Sequence, residues 1–390
     1  MNLQELRNDT PACRNINHLN NAGTALSPTP VAQTVFDYLD LEQRIGGYEA
    51  ELLKHQELDR VYAQVAELVG AKANEIAITQ NATRAWDMVF YSIPLQRGDK
   101  ILTCRSEYAS NYLAFLHRQR ATGVEIVVLE NDSSGSVCPE SLKRNLCQRT
   151  KLVAINHIPT NGGLIQPAED LGELLLEHPA FYLLDACQSV GQVPIDVKKI
   201  GCDALTATAR KYLRGPRGIG FLFVAERHIK SLEPPMIDLH AATWTAPGEY
   251  RFRNDAKRFE TYEVFVAGKL GLGVAADYAR KVGVGNGFRR LSSLARKARE
   301  GLAEIPGIQV HDLGTRKGGI VTFTVKGLAP GQVRERLHSE RINIWTCTVR
   351  SARLDMEARN LEEIARASFH YYNSEEEVEQ FLQKVRELTP

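Results

Sequence analysis

The stretch ATARKYLRGPRGIGFLFV, residues 207–224, combines two features that decide the fold. Its second half is an apolar run that predicts a buried strand, and a Gly/Pro/Arg turn precedes that run. Two basic residues, Arg210 and Lys211, stand at the mouth of the turn. Such a lysine is either a solvated charge at a strand end or an amine that forms a Schiff base with a carbonyl compound. The rest of the sequence decides between these two interpretations.

Apolar runs of strand length alternate with helical segments on the N-terminal side of this stretch. Strands are predicted in EIAITQ, DKILTC, EIVVLE, KLVAINHI, FYLLDA, ALTATA and GIGFLFV. Helices are predicted in NATRAWDMVFYSI, NYLAFLHRQRATG and AEDLGELLLEH, and over residues 54–70, which close on Gly70. Because the strands are short and continuously apolar, the pattern predicts an α/β fold with a mostly parallel sheet and helices on both faces.

The pattern changes after the last of these strands. Residues 235–263 are rich in Pro, Trp and charge and are predicted to form a long loop. Helices return in VAGKLGLGVAADYARKV and RLSSLARKAREGLAEI, strands follow in GGIVTFTV and INIWTCTV, and SEEEVEQFLQKVREL is a final helix. For a chain of 390 residues this predicts two domains, a large one over residues 1–265 and a smaller α+β one over residues 266–390. Packing of the N-terminal segment on the small domain is left open.

Charge and composition exclude several classes of protein. The 48 basic and 47 acidic residues are spread along the chain, so no nucleic-acid partner is predicted. The polar start MNLQELRNDT and the lack of long apolar runs argue against a signal peptide and against membrane association. The seven cysteines are scattered without a C-x-x-C pair, which predicts no metal site, no disulfide framework and a cytoplasmic location.

Polar residues follow several of the predicted strands. Asp185 follows FYLL, Thr160 and Asn161 follow AINHI, and Thr83 opens a helix after ITQ. Taken singly, a threonine at a helix start is usually a cap and an aspartate after a strand usually belongs to a turn. Open α/β sheets bind ligands at the carboxyl ends of their strands, however, so these residues and Lys211 are expected to share one crevice.

Pyridoxal phosphate is the cofactor that suits this combination. A lysine amine condenses with its aldehyde, and a carboxylate keeps its pyridine nitrogen protonated so that the ring accepts electrons. A helix N-terminus binds its phosphate through free N–H groups and a favourable dipole. The conjunction of the three features carries the prediction, since each alone is weak.

The same motifs resemble the class V aminotransferase family of fold type I pyridoxal-phosphate enzymes. That family includes cysteine desulfurases, cysteine C–S lyases, isopenicillin N epimerases and hercynylcysteine sulfoxide lyases. The resemblance covers nearly the whole chain, and its motifs occur in family order. They are HLNNAGTALSP (18–28), QNATRA (80–85), SEYASN (106–111), NHIPTNGGLIQP (156–167), DACQSVGQVPIDV (185–197), TARKYLRGPRGIGFL (208–222) and ARASFHYYNSEEEVEQF (365–381).

The resemblance implies a role for each matching residue. Lys211 would bind the cofactor covalently and then shuttle the Cα proton, Asp185 would pair with the ring nitrogen, and Tyr108 would stack on the ring. Arg366 would grip the substrate carboxylate as a two-pronged pair, unless it forms only a surface ion pair. The other implied cofactor contacts are Ala82, Thr83, Thr160, Asn161, Gln188, Thr208, Arg210 and Tyr262, and the opening motif adds Asn21 and Ala22 as substrate contacts.

Three departures from the family pattern bear on the reaction. Arg210 replaces the histidine that often precedes the lysine, and Tyr108 replaces the ring-stacking histidine of desulfurases. In RFETYE (258–263), Tyr262 and Glu263 stand where relatives carry a Gly-Thr that reaches the partner subunit's phosphate. If the Tyr262 hydroxyl takes that place, the active site is shared within a homodimer.

The largest departure is the absence of a thiol from the loop RSARLDMEARN before Arg366. A desulfurase needs a mobile cysteine there, whereas Cys347 lies earlier, in the strand-like INIWTCTV, where a cysteine is usually a small buried hydrophobe. Arg350 or Arg353 of the loop would meet an anionic substrate tail or be solvated.

The resemblance with these departures implies a pyridoxal-phosphate-dependent lyase acting by α,β-elimination on the Cβ–S bond of a cysteine-derived sulfoxide or thioether. An amino-acid epimerase, a cysteine desulfurase using Cys347 and an aminotransferase are the alternatives within the enzyme class. A non-catalytic protein that kept the fold is a further alternative. A Rossmann dehydrogenase would need a G-x-G-x-x-G that HLNNAGTAL does not supply.

Overall fold

The computed structural model describes residues 2–389. The α-helices are α1 (Leu3–Asn8), α2 (Thr29–Ile45), α3 (Gly47–Leu53), α4 (His55–Val69), α5 (Ala82–Phe90), α6 (Ala109–Thr122), α7 (Pro139–Asn145), α8 (Ala168–Leu175), α9 (Val197–Ile200), α10 (Glu226–Ile229), α11 (Val266–Val282), α12 (Val284–Ala303), α13 (Pro330–Ser339), α14 (Arg353–Ala358) and α15 (Glu375–Arg386). Short 3-10 helices cover Pro11–Arg14, Ala73–Glu75 and Ala256–Phe259.

The strands are β1 (Asn17–His18), β2 (Ile76–Thr79), β3 (Lys100–Thr103), β4 (Glu125–Val128), β5 (Thr150–Asn156), β6 (Phe181–Asp185), β7 (Ala204–Thr208), β8 (Gly220–Val224), β9 (Ala242–Ala246), β10 (Glu249–Phe252), β11 (Ile308–Val310), β12 (Ile320–Val325), β13 (Ile342–Asn343), β14 (Trp345–Thr348) and β15 (Glu363–Ser368). Each strand predicted from an apolar run before residue 225 is present, as are the helices predicted between them.

The central sheet has seven strands in the order β2-β8-β7-β6-β5-β3-β4. Only β8 runs against its neighbours, since it pairs antiparallel with both β2 and β7. Successive side chains of β6 point to opposite faces, so Leu183 and Leu184 belong to two separate apolar cores, one under each helix layer. The predicted α/β fold with a mostly parallel, doubly covered sheet is confirmed.

A second, antiparallel sheet follows later in the chain, in the order β11-β12-β15-β14. Helices α12, α13 and α15 pack against it. The N-terminal segment packs beside this sheet. Strand β1 pairs with β13, and Asn20 forms an isolated bridge with Ser368 of β15. Helix α11 instead packs against α2 and α4.

Two segments differ from the sequence-based prediction. Residues 235–263 contain the hairpin β9–β10, which closes at Pro247 and Gly248, rather than an irregular loop throughout. Residues 350–360 contain α14, in which Met356 is fully buried. Residues 46–51 (GGYEAE) contain a helix break, since Gly46 ends α2 at a φ of 100° and α3 begins at the next residue. Between residues 2 and 389 no helix combines the length and the apolarity needed to cross a membrane.

Candidate active site

A cavity lies at the carboxyl edge of the central sheet, where the ends of β5, β6 and β7 meet the start of α5. Most of the predicted cofactor contacts line it. The lining residues are Asn81, Ala82, Thr83, Tyr108, Asn156, Ile158, Thr160, Asp185, Cys187, Gln188, Thr208, Arg210 and Lys211. The topology therefore brings together residues that are up to 130 positions apart in the sequence.

Lys211 enters the cavity from the turn after β7. Among the described residues, none forms a hydrogen bond or ion pair with its amine. Burial lowers the pKa of Lys211, and the nearby guanidinium groups of Arg210 and Arg366 lower it further, against the opposing effects of Cys187 and Asp185. A larger share of the amine is consequently neutral and nucleophilic than in a solvated lysine.

Asp185 is the last residue of β6, and its carboxylate is buried. Its Oδ1 accepts a hydrogen bond from the backbone N–H of Cys187 at 2.9 Å, and its Oδ2 accepts one from Asn111 Nδ2 at 2.9 Å. Gln188, one turn further on, donates from Nε2 to the carbonyl oxygen of Ala22 at 3.1 Å. The buried Oε1 of Gln188 has no partner within the described chain, so a hydrogen-bonding group of a ligand is expected beside it.

The N-terminus of α5 forms the opposite end of the cavity. Asn81 caps the helix by accepting a hydrogen bond from the backbone N–H of Arg84 at 2.8 Å, and the first-turn N–H groups of Ala82 and Thr83 have no intrahelical acceptor. Gly220 of β8 passes directly behind this turn, where a Cβ atom would come within 3.0 Å of the Ala82 nitrogen. The close approach explains why a glycine opens β8, and it leaves the helix start facing the cavity as an anion site.

Tyr108 stands at the N-cap position of α6 and lines the cavity. The next residue, Ala109, donates its backbone N–H to the carbonyl oxygen of Ser351 at 3.0 Å. This bond places the loop after β14 at the mouth of the cavity, beside Tyr108. The loop carries Arg350, which is exposed, while Arg353 is engaged by Glu357 in an ion pair one helical turn away.

Arg366 lies on β15 and is almost fully buried. Its Nη1 donates to both the carbonyl oxygen and the hydroxyl of Thr160 at 3.0 Å, and its Nη2 donates to Asn20 Oδ1 at 3.3 Å. The buried Nε has no partner within residues 2–389. No carboxylate neutralises the guanidinium in that part of the chain, so it is available to an anionic group of a substrate.

Three predicted contacts are placed differently, whereas a fourth, Tyr262, is expected at the phosphate of the partner subunit and stays a prediction. Asn161 turns away from the cavity and donates from Nδ2 to Asp355 Oδ2 at 2.7 Å. The Asn21 amide is occupied by the carbonyl oxygen of Ser368 and the hydroxyl of Tyr372, so it is a structural tie between the N-terminal segment and the segment after β15. Ala22 takes part only through its backbone. Tyr262 is 48% exposed and lies outside the cavity of its own chain.

Several residues around the cavity were missed by the sequence analysis. Asn156, the last residue of β5, lines it, and Cys187 lies beside Asp185. Their positions at strand ends were a usable signal for both. Asn111, which donates to Asp185, and Glu107, which Asn111 links to Asp185, gave no such signal, because polar residues at the start of a helix are usually exposed caps.

Cys347 lies on β14, close to the substrate end of the site. Its thiol is buried and points its Sγ at the carbonyl oxygen of Thr160, 3.4 Å away. Burial raises the pKa of Cys347, although Arg366 and Lys211 act in the opposite direction. Its strand register, opposite Ile364 of β15, holds the backbone in the sheet. The geometry is that of a fixed, protonated thiol.

The donor set fits pyridoxal phosphate. The cavity is lined by a buried carboxylate, by a helix N-terminus, by Thr208 and Arg210, and by a lysine that has no side-chain partner among the described residues. The unpartnered Gln188 Oε1 adds a free acceptor where the ring would lie. Within the described residues, no cluster of three or more His, Cys, Asp or Glu side chains is arranged to hold a metal ion.

Comparison with known proteins gives a consistent result. The family model described as aminotransferase class-V matches residues 17–381. A probable cysteine desulfurase of Pyrococcus abyssi is 30% identical over 99% of this chain and 97% of its own. The apo structure of the cysteine desulfurase from Thermococcus onnurineus NA1 superposes with a TM-score of 0.92 at 28% identity, covering 99% of this chain and 98% of that one. The cystine C–S lyase C-DES, at 22% identity and a TM-score of 0.86 over 98% of this chain and 100% of its own, shows the shared fold.

Proposed function

The chain belongs to the class V aminotransferase family of pyridoxal-phosphate enzymes, and from that membership we propose that it cleaves the Cβ–S bond of a cysteine-derived amino acid. The finer assignment is an α,β-elimination on a thioether, disulfide or sulfoxide of cysteine. The observation that carries it is the thiol-free loop after β14, because a desulfurase mechanism needs a mobile cysteine to accept the sulfur.

The cofactor supplies the electron sink that stabilises a carbanion at Cα once the proton has left. Around it, we assign Asp185 to the ring nitrogen, Gln188 to the ring hydroxyl, and the start of α5 with Thr208 and Arg210 to the phosphate. Tyr108 is positioned to cover one face of the ring. The tie of Asn161 to Asp355 removes that side chain from the proposed contacts.

The substrate would be held by its carboxylate on Arg366, whose Nε is unpaired and whose other nitrogens are fixed by Thr160 and Asn20. We assign Lys211 Nζ as the base that removes the Cα proton, a role that its lowered pKa favours. The sulfur then leaves with the bonding electron pair and is protonated. The sulfur product is a thiol from a thioether, a persulfide from a disulfide or a sulfenic acid from a sulfoxide. Hydrolysis of the three-carbon fragment gives pyruvate and ammonia.

The desulfurase is the second candidate, and the names of the similar proteins favour it. It would require Cys347 to attack the substrate sulfur and leave alanine as the product. Against it stand the fixed position of Cys347 in β14 and the raised pKa of its thiol, since the thiolate is the nucleophile.

Product analysis separates the two candidates. The holoenzyme is incubated with L-cysteine, L-cystine and S-substituted cysteines, and pyruvate, alanine and sulfide are quantified for the wild type, Cys347→Ala and Cys202→Ala. Cys202 is an equally buried thiol near the opposite edge of the sheet and serves as the matched control. We expect pyruvate with unchanged rates in both variants. Alanine as the product, lost in Cys347→Ala alone, would establish the desulfurase.

We further propose that the enzyme is a homodimer. Apolar side chains are exposed on α2 and α3, including Phe36, Tyr48 and Leu52, and on the β9–β10 hairpin, including Trp244 and Tyr250. Such a concentration of exposed large apolar side chains is typical of a subunit interface. Sedimentation of the wild type against Leu52→Glu tests this proposal, and a monomeric wild type would refute it.

A further inference from the structure

Behind Asp185, on the side away from the cavity, lies a second buried acid, Glu107. It precedes Tyr108, the N-cap residue of α6, and is 3% exposed. Its Oε1 accepts hydrogen bonds from the backbone N–H of Tyr108 at 2.8 Å and from Asn111 Nδ2 at 2.9 Å. Its Oε2 accepts one from the hydroxyl of Thr103 at 3.1 Å. The side chain is therefore fixed from both ends.

Asn111 connects the two acids. Its Nδ2 also donates to Asp185 Oδ2 at 2.9 Å, so one amide group spans both carboxylates with its two hydrogens. Asn111 is itself 4% exposed, one turn into α6. The arrangement is a relay from Glu107 through Asn111 to Asp185, and it fixes the direction in which Asp185 faces the cavity.

The charge balance of the relay is unusual. Two buried carboxylates share a neutral amide, and within the described chain neither of them forms an ion pair with Lys, Arg or His. Burial, and then the nearby Asp185, raise the pKa of Glu107 to about 8. For stability alone, a glutamine at position 107 would make similar hydrogen bonds without the cost of burying a second acid. Ionisation of Glu107 beside Asp185 is therefore favoured only when a positive charge lies close by, and the cavity in front of Asp185 is where one fits.

We propose that Glu107 is a positioning residue for the cofactor's ring nitrogen, which it serves by orienting Asp185 through Asn111 and by adding negative potential that favours the protonated nitrogen. The inference rests on the proposed pyridoxal-phosphate function. It also explains why Tyr108 and the pyridinium partner are tied together, because Glu107 holds the Tyr108 backbone and the Asn111 side chain with the same oxygen.

The test compares Glu107→Gln with Glu75→Gln. Glu75 is a matched control, since it is also buried and accepts two backbone N–H bonds, from Lys72 at 2.8 Å and Glu226 at 2.9 Å, but it lies at the opposite edge of the sheet. Two quantities are measured on the purified proteins. The first is the dissociation constant for the binding of pyridoxal phosphate to the cofactor-free protein. The second is the pH at the midpoint of the change in visible absorption of the bound cofactor. Thermal melting of the cofactor-free proteins reports on folding.

For Glu107→Gln we expect pyridoxal phosphate to bind about tenfold more weakly at about pH 9, where Glu107 of the wild type is ionised, and the spectral midpoint to fall by about one unit. The midpoint falls because removal of a nearby negative charge disfavours protonated forms of the cofactor. Glu75→Gln should match the wild type in both measurements. Asn111→Ala, which breaks the relay but keeps the acid, should also weaken binding and is the deciding variant if Glu107→Gln does not fold.

The outcomes separate this inference from the function on which it rests. If the wild type and Glu75→Gln bind the cofactor, and Glu107→Gln has their affinity and their midpoint with only its melting temperature changed, Glu107 is a cap of α6 and the inference is overturned. If the wild type takes up no pyridoxal phosphate, the proposed function itself fails.

Discussion

Buried charged groups have charged partners at one edge of the central sheet and lack them at the other. At the amino edge, Asp203 is buried at the start of β7 and has a full set of partners: the backbone N–H of Tyr182 at 2.7 Å, His228 Nε2 at 2.7 Å and the guanidinium of Arg227. At the carboxyl edge, Lys211 has no partner among the described residues, the Arg366 guanidinium lacks a carboxylate, and Asp185 and Glu107 share an amide.

The pKa values follow this difference. Burial acts to raise the pKa of Asp203, but the bonds from His228 and Tyr182 outweigh it and the net shift is downward. Burial lowers the pKa of Lys211 and raises that of Glu107, and the hydrogen bonds that Glu107 accepts do not outweigh the effect of burial. The same fold can therefore satisfy a buried charge, and Lys211 and Arg366 lack a counter-charge where we place the cofactor and substrate. A cavity of about 700 Å³ at the amino edge is larger than the active-site cavity. Its lining includes Asp203 together with its partners Arg227 and His228.

The largest expected effect comes from removing the unpaired lysine. Lys211→Ala should reduce the rate of product formation by at least about 10³-fold, because the proposed base and the covalent anchor are lost together. The cofactor-free variant should melt no lower than the wild type, since a buried amine without partners is removed. Steady-state assays and thermal melting measure the two effects. Lys72→Ala, which breaks an exposed ion pair with Glu226, is the control and should leave the rate unchanged.

A loss of both activity and stability in Lys211→Ala would contradict the comparison between the two edges of the sheet. It would mean that the lysine is a structural element of the carboxyl edge, held by contacts equivalent to those of Asp203. Retention of the wild-type rate would instead contradict the assignment of the base.

The second effect concerns Arg366. Arg366→Lys should raise KM for the amino acid by about 10²-fold, because a planar, two-pronged donor is replaced by a point charge and charge-assisted hydrogen bonds are each worth about 1.5–3 kcal/mol. The effect on kcat should be smaller. Initial-rate kinetics over a range of substrate concentrations separate the two constants. Arg299→Lys is a control, since that residue is a similarly buried arginine paired with Asp312. A fall in kcat with an unchanged KM would exclude a role in holding the substrate carboxylate.

The sequence predicted the carboxyl edge better than its surroundings. Lys211, Asp185 and Thr83 could be placed together because each directly follows a strand, and parallel strands deliver their ends to one edge. Glu107 could not be identified, because its burial depends on the packing of α6 behind β6. The hydrogen bond from Asn161 to Asp355 could not be predicted from the sequence, because Asp355 lies 194 residues away on a helix where the sequence predicts a loop. The division at residue 265 stays a prediction.

The third prediction concerns the amino edge of the sheet, where the buried carboxylate of Asp203 has its full set of partners. Asp203→Asn should destabilise the chain by about 3 kcal/mol near neutral pH, since Arg227 and His228 lose their shared carboxylate. A carboxyl group whose pKa is lowered in the folded state contributes stability above its ordinary pKa of 3.8, and the contribution is lost as the pH falls through the lowered value. The gap between variant and wild type should therefore close in acid. Urea denaturation at several pH values measures it, and a pH-independent gap would contradict the explanation.

The fourth prediction concerns Glu107 at the carboxyl edge, a buried acid whose pKa is raised rather than lowered. The pKa of Glu107 is raised from 4.5 to about 8, so its contribution to stability is complete below 4.5 and is lost as the pH rises through about 8. The cofactor-free Glu107→Gln variant should gain stability relative to the wild type between pH 5 and pH 9, by an amount on the order of a few kcal/mol. Denaturation curves at the two pH values test the sign. A relative loss of stability in alkali would show that Glu107 is compensated by a cation.

The smallest effect is expected for Arg227→Ala, which separates the two partners of Asp203. The Arg227 side chain is 62% exposed, whereas the Asp203 side chain is 9% exposed. Because an exposed guanidinium gains little from an ion pair, the variant should lose about 1 kcal/mol or less, and the loss should shrink further in high salt. His228→Ala removes the less exposed partner and should cost more. If Arg227→Ala were as harmful as Asp203→Asn, the stability of the amino edge would depend on the charge pair itself. The expected order places it instead in the hydrogen bonds that the buried carboxylate accepts. Asp185 and Glu107 also accept hydrogen bonds, but within the described chain none of their donors is a cation.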